Sequence, residues 1–457
     1  MLNRRLLLSS ITAMGFCAGV SRVSSAASMK PRQDGLRGTI DISGYGVAPD
    51  RQGEQSDAIN RLFREAAEQG MPVFLPAGDY RVSGITLPDT LFVSGVPGRT
   101  RLIHTGGGPF LTGQALGRLT LSDLVFDGKA EALAPETGGL LHLSDIADLT
   151  IENCTVTGAS KHGIHAERCG GRITGNSISK AAFAGLYAVD SARLSITANT
   201  VSDCGNGGIL VHRWEAGEDG TMVSGNRVFK ISADDGGTGE NGNGINIFRA
   251  WNVMVSDNHV SDCAFSAIRA NAATNVQISD NQCLRSGETA IYSEFGFQGA
   301  VVSGNLIDGA ANGILIVNFD EGGRLATVSG NIVRNLHLTG PYVHDGAGFG
   351  FGIAAEADTV ISGNVIENAP RWGLMLGWGP FMRAVAASGN LVRGAGGGCA
   401  VTVVEGAGTA LIANNLFQDV RDGAILGYRW NDKATGDLLK GGSEAFAHLT
   451  LSGNRLA

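Results

Sequence analysis

From residue 173 onward one four-residue phrase keeps returning: ITGN, ITAN, VSGN, VSDN, ISDN, VSGN, VSGN, ISGN, ASGN, IANN and LSGN. Its Asn falls at 176, 199, 226, 258, 281, 305, 331, 364, 390, 415 and 454. The spacing never drops below 23 residues and grows only by insertion. Such a period describes a solenoid, in which each repeat buries its apolar face against the next. A second signal precedes each phrase, a small residue followed by an apolar strand, as in Gly163-Ile164, Gly208-Ile209, Ala267-Ile268 and Gly313-Ile314. Two short alternating strands plus a third per period fit a parallel β-helix of about 12 coils. Helical repeats need about 30 residues or more and tolerate poorly the 68 Gly found here.

The repeated Asn has a structural task. A buried turn leaves backbone groups without partners, and an Asn amide both donates and accepts. Asn also tolerates the left-handed backbone conformation, so the turn is expected to use it there. Stacked coil on coil, these side chains form a ladder. Aligning Ile151 with the phrase puts Cys154 at the ladder position, so earlier coils close differently.

Aromatic residues make up only 6% of the chain, which leaves the core to Ile, Val, Leu and Ala. The net charge is −8 and no basic run occurs, which argues against a nucleic-acid partner. Residues 1–28 read as an export signal. Arg4-Arg5 precede a moderately apolar stretch, and Ser24-Ser25-Ala26-Ala27 supply small residues for cleavage. This predicts a periplasmic or secreted protein exported by the twin-arginine route. No later stretch approaches the ~20 apolar residues of a membrane span, and a monomer is expected. Six Cys follow the signal: 154, 169, 204, 263, 283 and 399. Cys204 and Cys263 would lie two coils apart, beyond disulfide reach, so free thiols are expected.

Residues 29–110 read as an N-terminal cap with the first coils, and 111–457 as the β-helix proper. Ser56 or Asp57 can cap a helix to about Gln69, with Ala58, Ile59, Leu62, Phe63 and Ala66 on one face. An amphipathic helix there would cover the open end of the solenoid. At the other end, the 429–447 insertion reads as a terminal cover carrying Leu438, Leu439 and Phe446.

The segments GYGVAPD, DAINRLFREAAEQG and VFLPAGDYRV, followed by SGN-type coils, resemble the pectate-lyase-like right-handed β-helix superfamily. The twin-arginine start joined to these repeats resembles twin-arginine-translocated repeat proteins of unassigned function. The resemblance covers nearly all of the mature chain and implies a right-handed helix. It also implies that an active groove would lie on the sheet of the Gly-Ile strands. It does not fix an activity, because the superfamily holds lyases, hydrolases, epimerases and catalytically silent members.

Strand alternation reads that sheet directly. With each Ile pointing inward, one outward column runs His165, Tyr187, Leu210, Asn246, Arg269, Tyr292, Leu315, Ala354. The second runs Glu167, Val189, His212, Phe248, Asn271, Glu294, Val317, Glu356. His212, Asn246, Arg269, Asn271, Tyr292 and Glu294 thus share a polar patch, bordered by insertions at 213–221 and 232–243. Tyr187, Trp214 and Phe248 are candidates to stack on sugar rings.

The composition favours proton abstraction beside a sugar carboxylate, as in lyases and C5-epimerases of acidic polysaccharides. Arg269, with Asn246 or Asn271, would neutralise the carboxylate; Tyr292 or His212 would move protons; Glu294 would tune them. A glycoside hydrolase needs converging acids, for which Asp234 and Asp235 are the best candidates. His162-Gly163 alone echoes the β-helical polygalacturonases. A non-catalytic polysaccharide binder or structural envelope protein is the third reading. No cofactor or metal is demanded, although Glu294 and the 234–240 loop offer oxygens for weak calcium binding.

Overall fold

The computed structural model describes residues 38–343 and 346–457. Residues 1–28, where an export signal is expected, lie outside the described residues. One coil contains, in order, Ala184–Val189, Leu194–Thr197 and Thr200–Cys204, and the next repeats it as Gly207–Glu218, Met222–Ser224 and Arg227–Ile231. Equivalent strands pair in parallel from coil to coil, for example Ile164 with Leu186 and Leu186 with Ile209. Three ladders of strands therefore run along the axis. The front ladder carries the Gly-Ile strands, the second those before the Asn, and the third, of 15 strands, those after it. The long strand Gly139–Glu152 runs through the first two ladders and pairs with both His162–Glu167 and Gly171–Thr174. The chain winds about 14 turns, more than the Asn phrases alone count, because the coils before Cys154 lack the phrase.

The ladder forms as expected. Asn176 Nδ2 donates to Ile151 O and to Asn199 Oδ1, and its backbone N–H donates to the same Oδ1, all at 2.9 Å. This pattern continues to Asn415, whose N–H and Nδ2 both reach Asn454 Oδ1 at 3.0 Å. Cys154 does hold the first ladder position, donating its N–H to Asn176 Oδ1 at 2.9 Å. The expected left-handed conformation falls elsewhere, on the residue before the Asn: Gly175 (φ 67°), Ala198 (φ 55°), Gly225 (φ 66°), Asp257 (φ 58°). That is why the phrase favours Gly at its third place, where a missing Cβ removes the penalty.

Helix Ser56–Glu68 buries the five expected residues. Its N-cap is Gln55, which makes no capping side-chain bond there. Ser56 is diverted: its Oγ donates to Glu54 and accepts the Ser83 N–H. The core is a single stack of Ile, Val, Leu and Ala along the axis, and Ile59, Leu62 and Phe63 join it from the helix. At the far end, Ile425–Arg429 turns back antiparallel onto Asp432–Asp437. Leu438 is buried there, with Leu439 and Phe446 packed beside it. The six cysteines among the described residues are free and buried. Ile231 sits in register between Cys204 and Cys263, and burial pushes the Cys204 thiol up to about 11, which leaves it unreactive.

Candidate functional site

The outward columns emerge in the register read from alternation. His165, Tyr187, Leu210, Asn246, Arg269, Tyr292, Leu315 and Ala354 are successive partners on neighbouring strands. His212, Phe248, Asn271 and Glu294 follow in the second column. Five of the predicted residues, His212, Asn246, Phe248, Arg269 and Asn271, line one cleft of about 350 Å³. Its other walls are Thr238, Gly239 and Glu240, from the 232–243 insertion, and Phe295.

Arg269 organises the floor. Its Nε donates to Glu294 Oε1 at 2.5 Å, and its Nη1 lies 3.5 Å from Glu288 Oε2. Asn271 Nδ2 also donates to Glu294 Oε1, at 3.0 Å. The guanidinium lies over the Tyr292 ring, 5.0 Å from its centre. Above it the chain passes as Gly239 (φ 136°), where a Cβ would collide with Nη1. Only glycine can roof the arginine this closely.

The electrostatics follow from burial. Arg269 is 8% exposed, Glu294 2% and Glu288 1%, so one cation faces two buried carboxylates. Burial raises the pKa of both acids although Arg269 opposes the shift. Glu288 is also held by the Tyr342 hydroxyl at 2.7 Å and the Ser266 hydroxyl at 3.2 Å. Burial, then Glu294 and Glu288, drive the Tyr292 hydroxyl well above its ordinary pKa. His212 is pushed down to about 4 by burial and is neutral at pH 7.

Three polar atoms at this cleft lack a hydrogen-bond partner among the described residues: His212 Nε2, Asn246 Oδ1 and Arg269 Nη1. An imidazole nitrogen and an amide oxygen, both shielded from solvent, thus remain without partners beside the cleft, while Nη1 has only its 3.5 Å ion contact with Glu288. Compared with known proteins, residues 139–333 match the family model described as the right handed beta helix region. The chain is a right-handed β-helix.

One solved structure agrees on the fold. Pre-mature gene product 12 of bacteriophage phi29 has a TM-score of 0.52 at 15% identity, covering 84% of this chain and 63% of that one. The A-module of the Azotobacter vinelandii mannuronan C-5 epimerase AlgE6 has a TM-score of 0.49 at 15% identity, covering 91% and 98%. The catalytic unit of a Streptomyces thermodiastaticus alpha-1,3-glucanase has a TM-score of 0.44 at 12% identity, covering 92% and 69%. At 15% identity the phi29 likeness speaks for the fold alone. No curated protein matches the sequence.

On this β-helix the remaining predicted residues fall outside the cleft wall. Tyr292 and Glu294 lie beneath Arg269 as its supports. Tyr187 stands two coils before Asn246, stacked on His162 at 4.7 Å and edge-on to His212 at 5.3 Å. Phe248 continues that run, 5.5 Å from His212. Trp214 is half exposed and turns toward Arg168, because its N–H is tied to Asp190 and its carbonyl to Arg249. Neither Asp234 nor Asp235 lines the cleft. Asp235 accepts from Asn206 at 2.9 Å, and Asp234 lines a separate groove with Lys180 and Asp203. The oxygens offered for calcium are divided: Glu294 is engaged by Arg269 and Asn271, while Asp234 faces that other groove.

Sequence reasoning missed Glu288, Gly239, Phe295 and Tyr342. Glu288 sits three residues ahead of Ile291, in the turn before the strand whose alternation was read. Its signal was present, an acid at a coil corner that faces an arginine one coil away. Tyr342 arrives from a loop 54 residues on from Glu288, which no local pattern reports.

Proposed function

We propose that this chain is an exported, monomeric polysaccharide-active β-helix of the lyase or C5-epimerase type, acting on an acidic polysaccharide in the cleft of His212, Asn246 and Arg269. The observation that carries this reading is the cleft on the front ladder that brings His212, Asn246, Arg269 and Asn271 together. The export reading rests on Arg4-Arg5 and the small residues near Ala26.

The chemistry is proton abstraction at C5 of a uronate. The Arg269 guanidinium and the Asn271 amide draw charge from the sugar carboxylate, which acidifies the C5 proton. Asn246 Oδ1 accepts from a sugar hydroxyl and fixes the ring. Neutral His212 takes the C5 proton through Nε2. In a lyase the C4–O bond then breaks, C4=C5 forms, and the imidazolium returns its proton to the departing oxygen. In an epimerase a water on the opposite face gives C5 its new proton, the imidazolium releases the abstracted one to solvent, and the chain stays intact. Phe248 and Tyr187 extend an apolar surface on which neighbouring sugar rings stack.

A panel of acidic and neutral polysaccharides tests this. Unsaturated ultraviolet-absorbing ends indicate a lyase, and solvent deuterium at C5 without cleavage an epimerase. Turnover that survives His212→Ala at the wild-type rate overturns the mechanism, and new reducing ends without unsaturation indicate a hydrolase. A second reading has one observation in its favour: Arg269 already faces two carboxylates and is 8% exposed, which suits a fixed binding surface. Retention of a polysaccharide without turnover would establish that reading.

A further inference from the structure

Toward the N-terminal end of the same ladder a second group of side chains stands apart from the cleft. His142 and His165 are register partners on adjacent strands, with ring centres 4.8 Å apart. Glu167 follows on the same face, its Oε2 3.7 Å from His165 Nε2. One donor atom from each of the three lies within 4.8 Å of the other two. Four coils, roughly 19 Å at the inter-strand spacing, separate His165 from Arg269.

His165 is the informative residue. Its side chain is 13% exposed, and neither ring nitrogen has a hydrogen-bond partner among the described residues. A largely buried imidazole with both nitrogens unsatisfied calls for a ligand. Gly138 lies against its Nδ1 side, where a Cβ would have no room, so Nε2 is the nitrogen presented to Glu167. Tyr187 packs edge-on at 5.2 Å and restrains the ring.

We propose that His142, His165 and Glu167 form a binding site for a divalent transition-metal cation of the zinc class. Two imidazoles and one carboxylate are a favoured donor set for zinc, and the outward face leaves a fourth position to water or a ligand. Calcium and magnesium prefer all-oxygen sites and are not expected here. Neighbouring charges leave the donors available. Arg168 holds the other oxygen of Glu167 but is itself met by Asp145 at 2.6 Å. Lys161 spends its ammonium on the carbonyls of Ala134, Pro135 and Thr137. His162 is excluded as a ligand through Nδ1, which accepts the Ala184 N–H. Binding requires the side chains to close in, since ligand atoms around zinc sit roughly 3.3 Å apart at bonds of about 2.0–2.1 Å. It also requires His142 to give up or redirect a long 3.3 Å bond that its Nδ1 accepts from Gly138 N–H.

The test is zinc titration of the chelator-treated mature chain without a polyhistidine tag, by calorimetry and metal analysis. One zinc per chain at micromolar affinity or tighter is expected, and cobalt in its place should give visible bands of four- or five-coordination. His165→Gln and Glu167→Gln should each weaken zinc by at least about tenfold, while His259→Ala, on the third ladder, should leave it unchanged. If His165→Gln loses its β-sheet dichroism, Glu167→Gln decides. Absence of stoichiometric zinc, or zinc binding that both variants leave intact, overturns the proposal. Its outcome is independent of any turnover at the His212 cleft.

Discussion

The two halves of the front ladder's outer face share one backbone and one register but not one fate. Toward the N-terminus the columns carry His165, Tyr187, His212, Asn246 and Arg269, and clefts open between the insertions. Beyond Tyr292 the first column becomes Leu315, Ala354, Met375 and Ala400 in unbroken register. There a second apolar cluster forms outside the barrel, with Phe351 and Trp372 stacked at 5.2 Å. Tyr428 covers it, accepting from Trp372 Nε1 at 3.1 Å, and Arg371 lies 4.6 Å over the indole. Repeats thus set where side chains point, while residue class and loop length decide whether a face is a site or a second core.

Trp372→Ala should therefore have the largest effect on stability. It removes the centre of the covered cluster and leaves the Tyr428 hydroxyl unpaired, at a cost of about 3–5 kcal/mol. Denaturant unfolding should show the C-terminal coils melting first, because each coil of a solenoid leans mainly on its neighbours. A loss below about 1 kcal/mol would mean that the covered half is no core at all.

Arg269→Ala comes next and tests whether the open half has a structural keystone of its own. Without the guanidinium, Glu288 and Glu294 remain buried with no cation, a loss of about 3 kcal/mol at neutral pH. Both folded pKa values are already raised, so the unfolded chain holds its carboxylates ionised where the fold prefers them protonated. Lowering the pH should then shrink the deficit, and Glu294→Gln in the same chain should recover part of it. A deficit that does not vary with pH would show that packing against Tyr292 dominates.

The fold was legible because its signals are local and repeated. A period of about 23 residues, the Gly-Ile strand and the SGN phrase each report one corner of a coil, and alternation then numbers the face. The site was legible only as far as alternation reaches. His212, Asn246, Phe248, Arg269 and Asn271 came from the columns and line the cleft. Glu288 lies one step outside the strand, and Tyr342 and Gly239 come from loops whose paths depend on tertiary packing. Trp214 does not line the cleft for the same reason, since its loop is held by Asp190 and Arg249 and its ring lies beside Arg168. The Asn ladder was right in its bonding and wrong in its backbone, because the left-handed corner is the residue before the Asn.

Glu356 carries the comparison into pH. It lies in the covered half, accepts the Phe319 N–H at 2.7 Å, and is pushed up to about 7 chiefly by burial. A folded pKa above the unfolded value means that the fold favours the protonated acid. That contribution is complete below about 4.5 and fades as pH rises through about 7, by up to about 2–3 kcal/mol. Stability measured from pH 5 to 8 should fall less steeply in Glu356→Gln, which keeps an acceptor for Phe319, than in the wild type. Parallel profiles would place the titration elsewhere.

His212→Ala should have the smallest effect on stability and the sharpest effect on ligand. Its Nε2 bonds to nothing among the described residues, so the loss is packing against Tyr187 and Phe248, about 1 kcal/mol or less. Turnover of a cleaved or epimerised polysaccharide should drop by about 10²–10⁴-fold if His212 is the base. The wild-type acid limb should lie near pH 4, where burial has placed this imidazole, and not near its ordinary 6.5. Linkage gives a second readout of the same ring. A depressed folded pKa stabilises the protein above about 6.5 and loses that contribution as pH falls toward 4, so the variant should tolerate mild acid better than the wild type. A variant that unfolds as readily as Trp372→Ala would show that the open half is held together as the covered half is, and the contrast between them would fall.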